Sequence, residues 1–270
     1  MTSTLLVRYV FTRIIFGNFI VIGIESSCDE SAISVFDPSQ GVLLDLVSSQ
    51  VKLHKKYGGV VLNLASREHV KNFVLLFEEL KKFGMPDAKS IAVTSEPLLS
   101  GFLNIEIIAA RALGTILNLP ILSINLLHSN IFSPIIKINE NETREFKKIL
   151  KNFLPALELL LSSGNTILVE IHQMEIVAET LDDDAGESFD KGERFLGLPY
   201  PDGMLIKKFA KSGNLRKNNY PCAFHDTSEM KFSFSGLKTT SGIFWKKEVS
   251  ILPKIYKTYS ASYQEAIIDA

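Results

Sequence analysis

Residues 19–37 read FIVIGIESSCDESAISVFD. Phe19–Glu25 is a short apolar run rich in β-branched residues, stopped by the small polar cluster Ser26, Ser27, Cys28 and Asp29. A second run of the same kind, Ser31–Asp37, follows at once. The pattern predicts a strand, a tight turn and an antiparallel strand. Working outward, Gly41–Val51 supplies a third strand. Ser66–Phe83 carries Val70, Phe73, Val74 and Phe77 at helical spacing, with Lys and Glu on the other side. Ser90–Thr94 then reads as a buried strand, Ile105–Leu117 as a helix and Pro120–Ile124 as another strand. After the polar stretch Asn139–Lys151 the opening pattern returns: PALELLL, the turn SSGNT at 162–166, and ILVEI. Two such hairpins one lobe apart suggest an internal duplication. The periodicity gives an α/β protein with two related lobes, 20–138 and 152–270, joined through 139–151.

A chain of 270 residues suits one large domain or two modest lobes. With 46% hydrophobic and 22% charged residues, the disordered and fibrous classes are excluded. The 29 basic and 30 acidic residues leave a net charge of −1, so any RNA contact has to be a local patch. Cys28 and Cys222 are too few for a disulfide framework and fit a reducing compartment. No apolar run approaches the ~20 residues of a membrane span, so no membrane partner is expected. The segment Met1–Phe19 contains Arg8 and Arg13, and no acid precedes Glu25. It reads either as a mitochondrial presequence or as an extra helix or unprocessed leader of a cytoplasmic bacterial protein.

The turn Gly23–Glu30 brings backbone N–H groups, hydroxyls and carboxylates together between two strands. It is an ordinary polar turn or a phosphate cradle whose acids work beside a nucleotide. The turn Ser162, Ser163, Gly164, Asn165, Thr166 invites the same two readings, and paired phosphate hairpins are how actin-like ATPases hold ATP. Downstream, Asp182, Asp183, Asp184, Glu187 and Asp190 crowd into nine positions. On one helix Asp183, Glu187 and Asp190 would share a face, and their repulsion would call for a cation, a ligand hydroxyl or a helix N-terminus.

Five segments carry a resemblance: GIESSCDESAISVFD, GGVVLNLASREHV, LLSSGNT, TLDDDAGESFDKGERFLGLPYPDG and KFSFSGLKT, in that order. They resemble the TsaD family, formerly Gcp. That family transfers a threonylcarbamoyl group from threonylcarbamoyl-adenylate to N6 of adenosine 37 in tRNAs reading ANN codons. The resemblance implies an actin-like fold of two ribonuclease-H-type lobes, with ATP or the adenylate between the two turns. It assigns Asp29 and Glu30 to catalysis, and Ser162, Ser163, Gly164, Asp190 and Gly203 to nucleotide and substrate, Asp190 on the ribose. It implies tRNA as a partner, a separate synthase that supplies the adenylate, and a homodimer or family partner proteins. Lys207, Lys208, Lys211, Arg216 and Lys217 form an acid-free stretch suited to RNA, or a solvated helix face.

The family also holds one divalent metal, iron or zinc, through two histidines in an HxxxH helix. In this chain Leu126 and Asn130 occupy those positions, and His128 stands where a glutamate is usual. Leucine cannot ligate and asparagine is a weak ligand for a transition ion. A lone His128 reads as a satisfied structural histidine. The family's third ligand, an aspartate, belongs to a C-terminal segment expected to lie beyond Ala270, which would leave the second lobe incomplete. Smaller departures are SSGNT for SGGHT, Pro201-Asp202-Gly203 for PGG, and Glu96, Pro97 and Leu98 for Gly-Pro-Gly. Three classes compete: a working transferase, an impaired relative that binds nucleotide or partners, and another actin-like ATPase or sugar kinase, which FSFSGLKT and ESFDK disfavour.

Overall fold

The computed structural model describes residues 19–57, 59–84, 87–96, 100–142, 152, 154–162, 164–172, 174–196, 203–213, 220–224, 227–248 and 252–270. The basic leader up to residue 18, Ser163, Pro97 and Leu98, Pro201 and Asp202, Arg216 and Lys217 lie outside the described residues. The chain divides into two compact units, Met1–Leu154 and Pro155–Ala270.

In the first unit, β1 (Ile20–Glu25), β2 (Glu30–Asp37) and β3 (Gly41–Ser49) form an antiparallel meander. Strands β4 (Ala88–Glu96) and β5 (Ile121–Asn125) extend the sheet in parallel with β1. The order is β3-β2-β1-β4-β5, with β2 alone running against the others. This is the ribonuclease-H-type sheet that the resemblance implies. Period-two alternation puts Ile22 and Ile24 of β1 and Ile33 and Val35 of β2 into one core. Gly23 faces Ser34 in register, where a Cβ would lie 2.6 Å from the Ser34 hydroxyl oxygen.

Between these strands lie α1 (Val51–His54), α2 (Leu62–Phe83) and α3 (Ser100–Leu117), and α4 (Leu126–Glu142) follows β5. Helix α2 starts four residues earlier than the spacing predicted, and its inner face differs from the expected one. Ala65, His69, Phe73, Leu76 and Leu80 are buried, whereas Val70 and Val74 are exposed. At 100° per residue, positions 70 and 74 lie one step round from 69 and 73. The more continuous stripe 65-69-73-76-80 wins the core and takes a histidine in with it. The polar stretch expected to begin a linker at Asn139 is still helical to Glu142.

The second unit opens on another antiparallel meander, β6 (Leu157–Leu161), β7 (Thr166–Glu170) and β8 (Glu175–Thr180), as the repeated hairpin pattern predicted. The two-residue β9 (Lys231–Phe232) joins β8 in parallel. Helices α5 (Ala185–Phe195), α6 (Gly203–Ala210), α7 (Ser235–Glu248) and α8 (Leu252–Asp269) complete it. Their core gathers Leu196, Ile206, Phe234, Leu237, Tyr259 and Tyr263. Among the described residues, no helix is long and apolar enough to cross a membrane.

Candidate functional site

The turn between β1 and β2 is held almost entirely from within. The Ser26 amide donates to Glu106 Oε2 at 2.6 Å, and its hydroxyl donates to the same oxygen at 3.3 Å. The Ser27 amide donates to Glu25 Oε1 at 2.5 Å. Cys28 offers its carbonyl to His69 Nε2 at 3.0 Å, and Asp29 offers its carbonyl to the Gln50 amide at 2.7 Å. The expectation that the amides of this turn await a phosphate is therefore narrowed, because two of them are taken by the protein's own carboxyl groups. Burial pushes the Glu25 carboxyl up, against the pull of Ser27, and nearby Glu30 adds to the rise. Asp29 is half-buried and Glu30 exposed at the head of β2.

In the second unit, the Ser162 amide donates to the Asn165 carbonyl at 2.8 Å, and the Gly164 amide turns back onto Ser162 Oγ at 3.3 Å. Apart from its chain neighbours, no atom of the described residues lies within 4 Å of a Cβ built on Gly164, so packing there does not demand glycine. The Ser162 carbonyl accepts from the Gly186 amide at 3.2 Å, and Thr166 Oγ1 accepts from the Ala185 amide at 2.8 Å. The hairpin turn is thus stitched to the first turn of α5, the helix that carries half-buried Asp190. Gly203 begins α6, where Lys207 and Lys208 are exposed, and exposed Lys211 follows it.

The acidic cluster resolves differently from the expectation. Asp183 precedes α5, so it does not share a helical face with Glu187 and Asp190. Its charge is offset by Lys191 at 2.7 Å and Lys238 at 3.2 Å, and Lys191 also reaches Glu187 at 2.8 Å. Burial would raise the Asp183 carboxyl, but the two lysines outweigh it and hold it low. Asp182 caps α7 across fifty residues of sequence. It accepts from the Phe234 and Ser235 amides at 2.8 and 3.2 Å and from the Ser233 and Ser235 hydroxyls, each at 2.6 Å. The acidic segment and KFSFSGLKT are therefore one structure.

Partial burial raises the Asp182 carboxyl and those hydrogen bonds lower it, with a net pKa of about 2 against an ordinary 3.8. A depressed folded-state pKa gives stability that is present above 3.8 and lost as pH falls towards 2. Asp182→Ala is expected to cost about 1–2 kcal/mol at pH 7, the range for losing a helix cap. Urea unfolding should measure that gap at pH 7 and find it closing near pH 2.

The helix expected to carry metal-ligand positions is α4. Asn125 caps it, its Oδ1 accepting from the Leu127 and His128 amides at 2.9 and 3.3 Å. Leu126 and Asn130 stand four residues apart, the spacing that puts two donors on one helical face, but leucine has no donor. Among the described residues, no three His, Cys, Asp or Glu side chains gather as a metal site. The residues present do not fit a transition ion held by a histidine pair. His128 is not the satisfied histidine expected from sequence: burial pushes it down, and its Nδ1 is buried without a partner among the described residues.

The sequence profile of the family described as "tRNA N6-adenosine threonylcarbamoyltransferase" matches residues 41–270. The Thermotoga neapolitana protein of that name is 38% identical over 258 residues, covering 92% of this chain and 73% of the relative. The chain belongs to this family. The Bacillus subtilis threonylcarbamoyltransferase is 37% identical over 262 residues, 92% of this chain and 70% of its own length. Among solved structures, the Aquifex aeolicus Ppx/GppA phosphatase is 11% identical and covers 93% of this chain and 90% of its own, but at a TM-score of 0.41 the likeness carries no argument. As a member of the threonylcarbamoyltransferase family, the chain has a mixed α/β actin-like fold.

Sequence reading missed Glu106, His54 and Gln50 as supports of the first turn, and it placed Thr166 in the second turn without its bond to the Ala185 amide. For His69 the signal was available, since a histidine on the stripe 65-69-73-76-80 must be buried and must find partners.

Proposed function

We propose that the chain transfers the threonylcarbamoyl group of threonylcarbamoyl-adenylate to N6 of adenosine 37 in tRNA. The observation that carries this reading is the family match across residues 41–270, which holds four of the five motif segments. The N6 amine attacks the carbamoyl carbon, the new N–C bond forms, and the C–O bond to phosphate breaks, so AMP leaves with the electron pair. The amine gives up a proton, and the family resemblance makes Asp29 and Glu30 the bases that would take it. Ser162 and the turn residues Ser163 and Gly164 would line the adenylate, and Asp190 would accept from the ribose hydroxyls. Gly203 would let the adenylate approach the start of α6. Lys207, Lys208 and Lys211 offer the tRNA phosphates a local basic patch. No step is routed through a metal, because Leu126 and Asn130 do not fit one.

The replacement of both histidine positions favours a second reading, an impaired relative that binds nucleotide without efficient transfer. The full chain should be incubated with threonylcarbamoyl-adenylate and unmodified tRNA, and the digested nucleosides analysed by mass spectrometry, with elemental analysis of the protein alongside. Modified adenosine without stoichiometric iron or zinc is expected. Adenylate binding with no product would leave the second reading, and neither binding nor product would overturn both.

A further inference from the structure

Beneath the first turn lies a buried polar chain whose hydrogen-bond directions are fixed by chemistry. A carbonyl can only accept, so His69 Nε2, 3.0 Å from the Cys28 carbonyl, carries the proton. His69 Nδ1 is then the acceptor, taking bonds from Ser31 Oγ at 2.8 Å and Gln50 Nε2 at 3.2 Å. Gln50 Oε1 in turn accepts from His54 Nε2 at 3.1 Å, and His54 Nδ1 accepts from the Val61 amide at 3.3 Å. Asn72 donates to Ser31 Oγ at 3.2 Å and locks that hydroxyl's own proton onto His69. His54, Gln50, His69 and Ser31 are all almost fully buried. Every bond runs one way, from His54 through Gln50 and His69 to the carbonyl of Cys28. Burial holds His69 below the ordinary histidine range, in keeping with a neutral ring.

A trans peptide points its C=O and N–H in opposite directions. Pulling the Cys28 carbonyl inward onto His69 therefore turns the Asp29 amide the other way, where it meets the sulfur of exposed Cys28. The Ser26 and Ser27 amides are engaged by the carboxyl groups of Glu106 and Glu25, whereas the Asp29 amide meets the Cys28 sulfur, a weak acceptor that a phosphate oxygen can replace. We propose that His69 is a positioning residue. Backed by Gln50 and His54, it sets the Cys28–Asp29 peptide so that the Asp29 amide donates to the phosphate of an adenylate. This rests on the nucleotide reading above and adds the residues that prepare the site.

The test compares two variants of the full chain. His69→Gln places its amide nitrogen near the Nε2 position and can still donate to the Cys28 carbonyl. His69→Asn is shorter, reaches only the Nδ1 position and leaves that carbonyl unpaired. AMP affinity measured by calorimetry is expected to fall about ten-fold in the Asn variant, the worth of one directed hydrogen bond, and about two-fold or less in the Gln variant. A ligand-free readout accompanies it: maleimide labelling of Cys28, followed by peptide mass spectrometry, should change rate in the Asn variant and keep the wild-type rate in the Gln variant. Equal losses in both variants, or none in either, would overturn the positioning role while leaving nucleotide binding intact. A wild-type chain that does not bind AMP would overturn the nucleotide reading and this inference with it.

Discussion

Gly192→Ala should cost the second unit about 2–3 kcal/mol, a large loss for the addition of one methyl group. Gly192 sits inside α5, where alanine would ordinarily gain about 1 kcal/mol in helix propensity. Packing decides otherwise. A Cβ there would run into the ring of Tyr263, with Cδ1 at 3.0 Å and the Ile206 methyl carbon at 3.1 Å. The ring cannot swing away. Its hydroxyl donates to the Ser188 carbonyl at 2.8 Å, it stacks on Tyr259 at 5.4 Å, and it meets Tyr220 edge-on at 5.5 Å. Tyr263 and Ile206 are fully buried, so the strain has no outlet to solvent. The control is Gly242→Ala in α7, whose Cβ would meet the Phe195 ring at 3.6 Å, an ordinary contact. Chemical unfolding should find that variant as stable as the parent or more so. Equal, small effects in the two variants would mean that α5 and α8 pack less closely than described.

The two hairpins were legible because strand signals are local: β-branched runs, a polar turn and period-two alternation predicted β1, β2, β6 and β7. Contacts between remote segments left no such trace. Asp182 caps a helix that begins at Ser235, and nothing in the acidic run signals that its partner lies fifty residues away. Read alone, Asp182–Asp184 suggests a helix start or a cation. The lysines that neutralise Asp183 come from two different helices. The face of α2 was misjudged for a related reason. Val70 and Val74 satisfy helical spacing as well as Leu76 and Leu80 do, and only the sheet beneath decides which stripe is inside. Glu106, in the run Asn104-Ile105-Glu106-Ile107-Ile108, reads as the solvent-facing residue of an apolar helix. It is fully buried instead.

That burial makes Glu106→Gln a strongly pH-dependent substitution. Glu106 Oε2 receives the amide and hydroxyl of Ser26, but Oε1 is buried without a partner among the described residues, and the Glu25 carboxyl lies nearby. Desolvation is the largest influence on its pKa; Ser26 pulls it down and Glu25 pushes it up, for a net rise from 4.5 to about 8. In the unfolded chain the group ionises near 4.5, whereas the folded chain keeps its proton until about pH 8. The unfolded state therefore binds fewer protons across that window, and stability falls as pH rises through it, levelling off above. A shift of this size corresponds to on the order of 3 kcal/mol once relaxation of the site is allowed for. Glutamine keeps the acceptor for Ser26 and cannot ionise. The variant should match the parent within about 1 kcal/mol at pH 5, where both side chains are neutral. At pH 8.5 it should be more stable by about 3 kcal/mol, and the pH slope that remains should combine Glu25 and Asp184, which burial raises, with His69 and His128, which burial lowers and which act with the opposite sign. Thermal unfolding across this range gives the comparison directly. A variant less stable than the parent at every pH would show instead that Glu106 is ionised in the fold and that its charge holds the Ser26 amide, which would reverse the role assigned to it beneath the first turn.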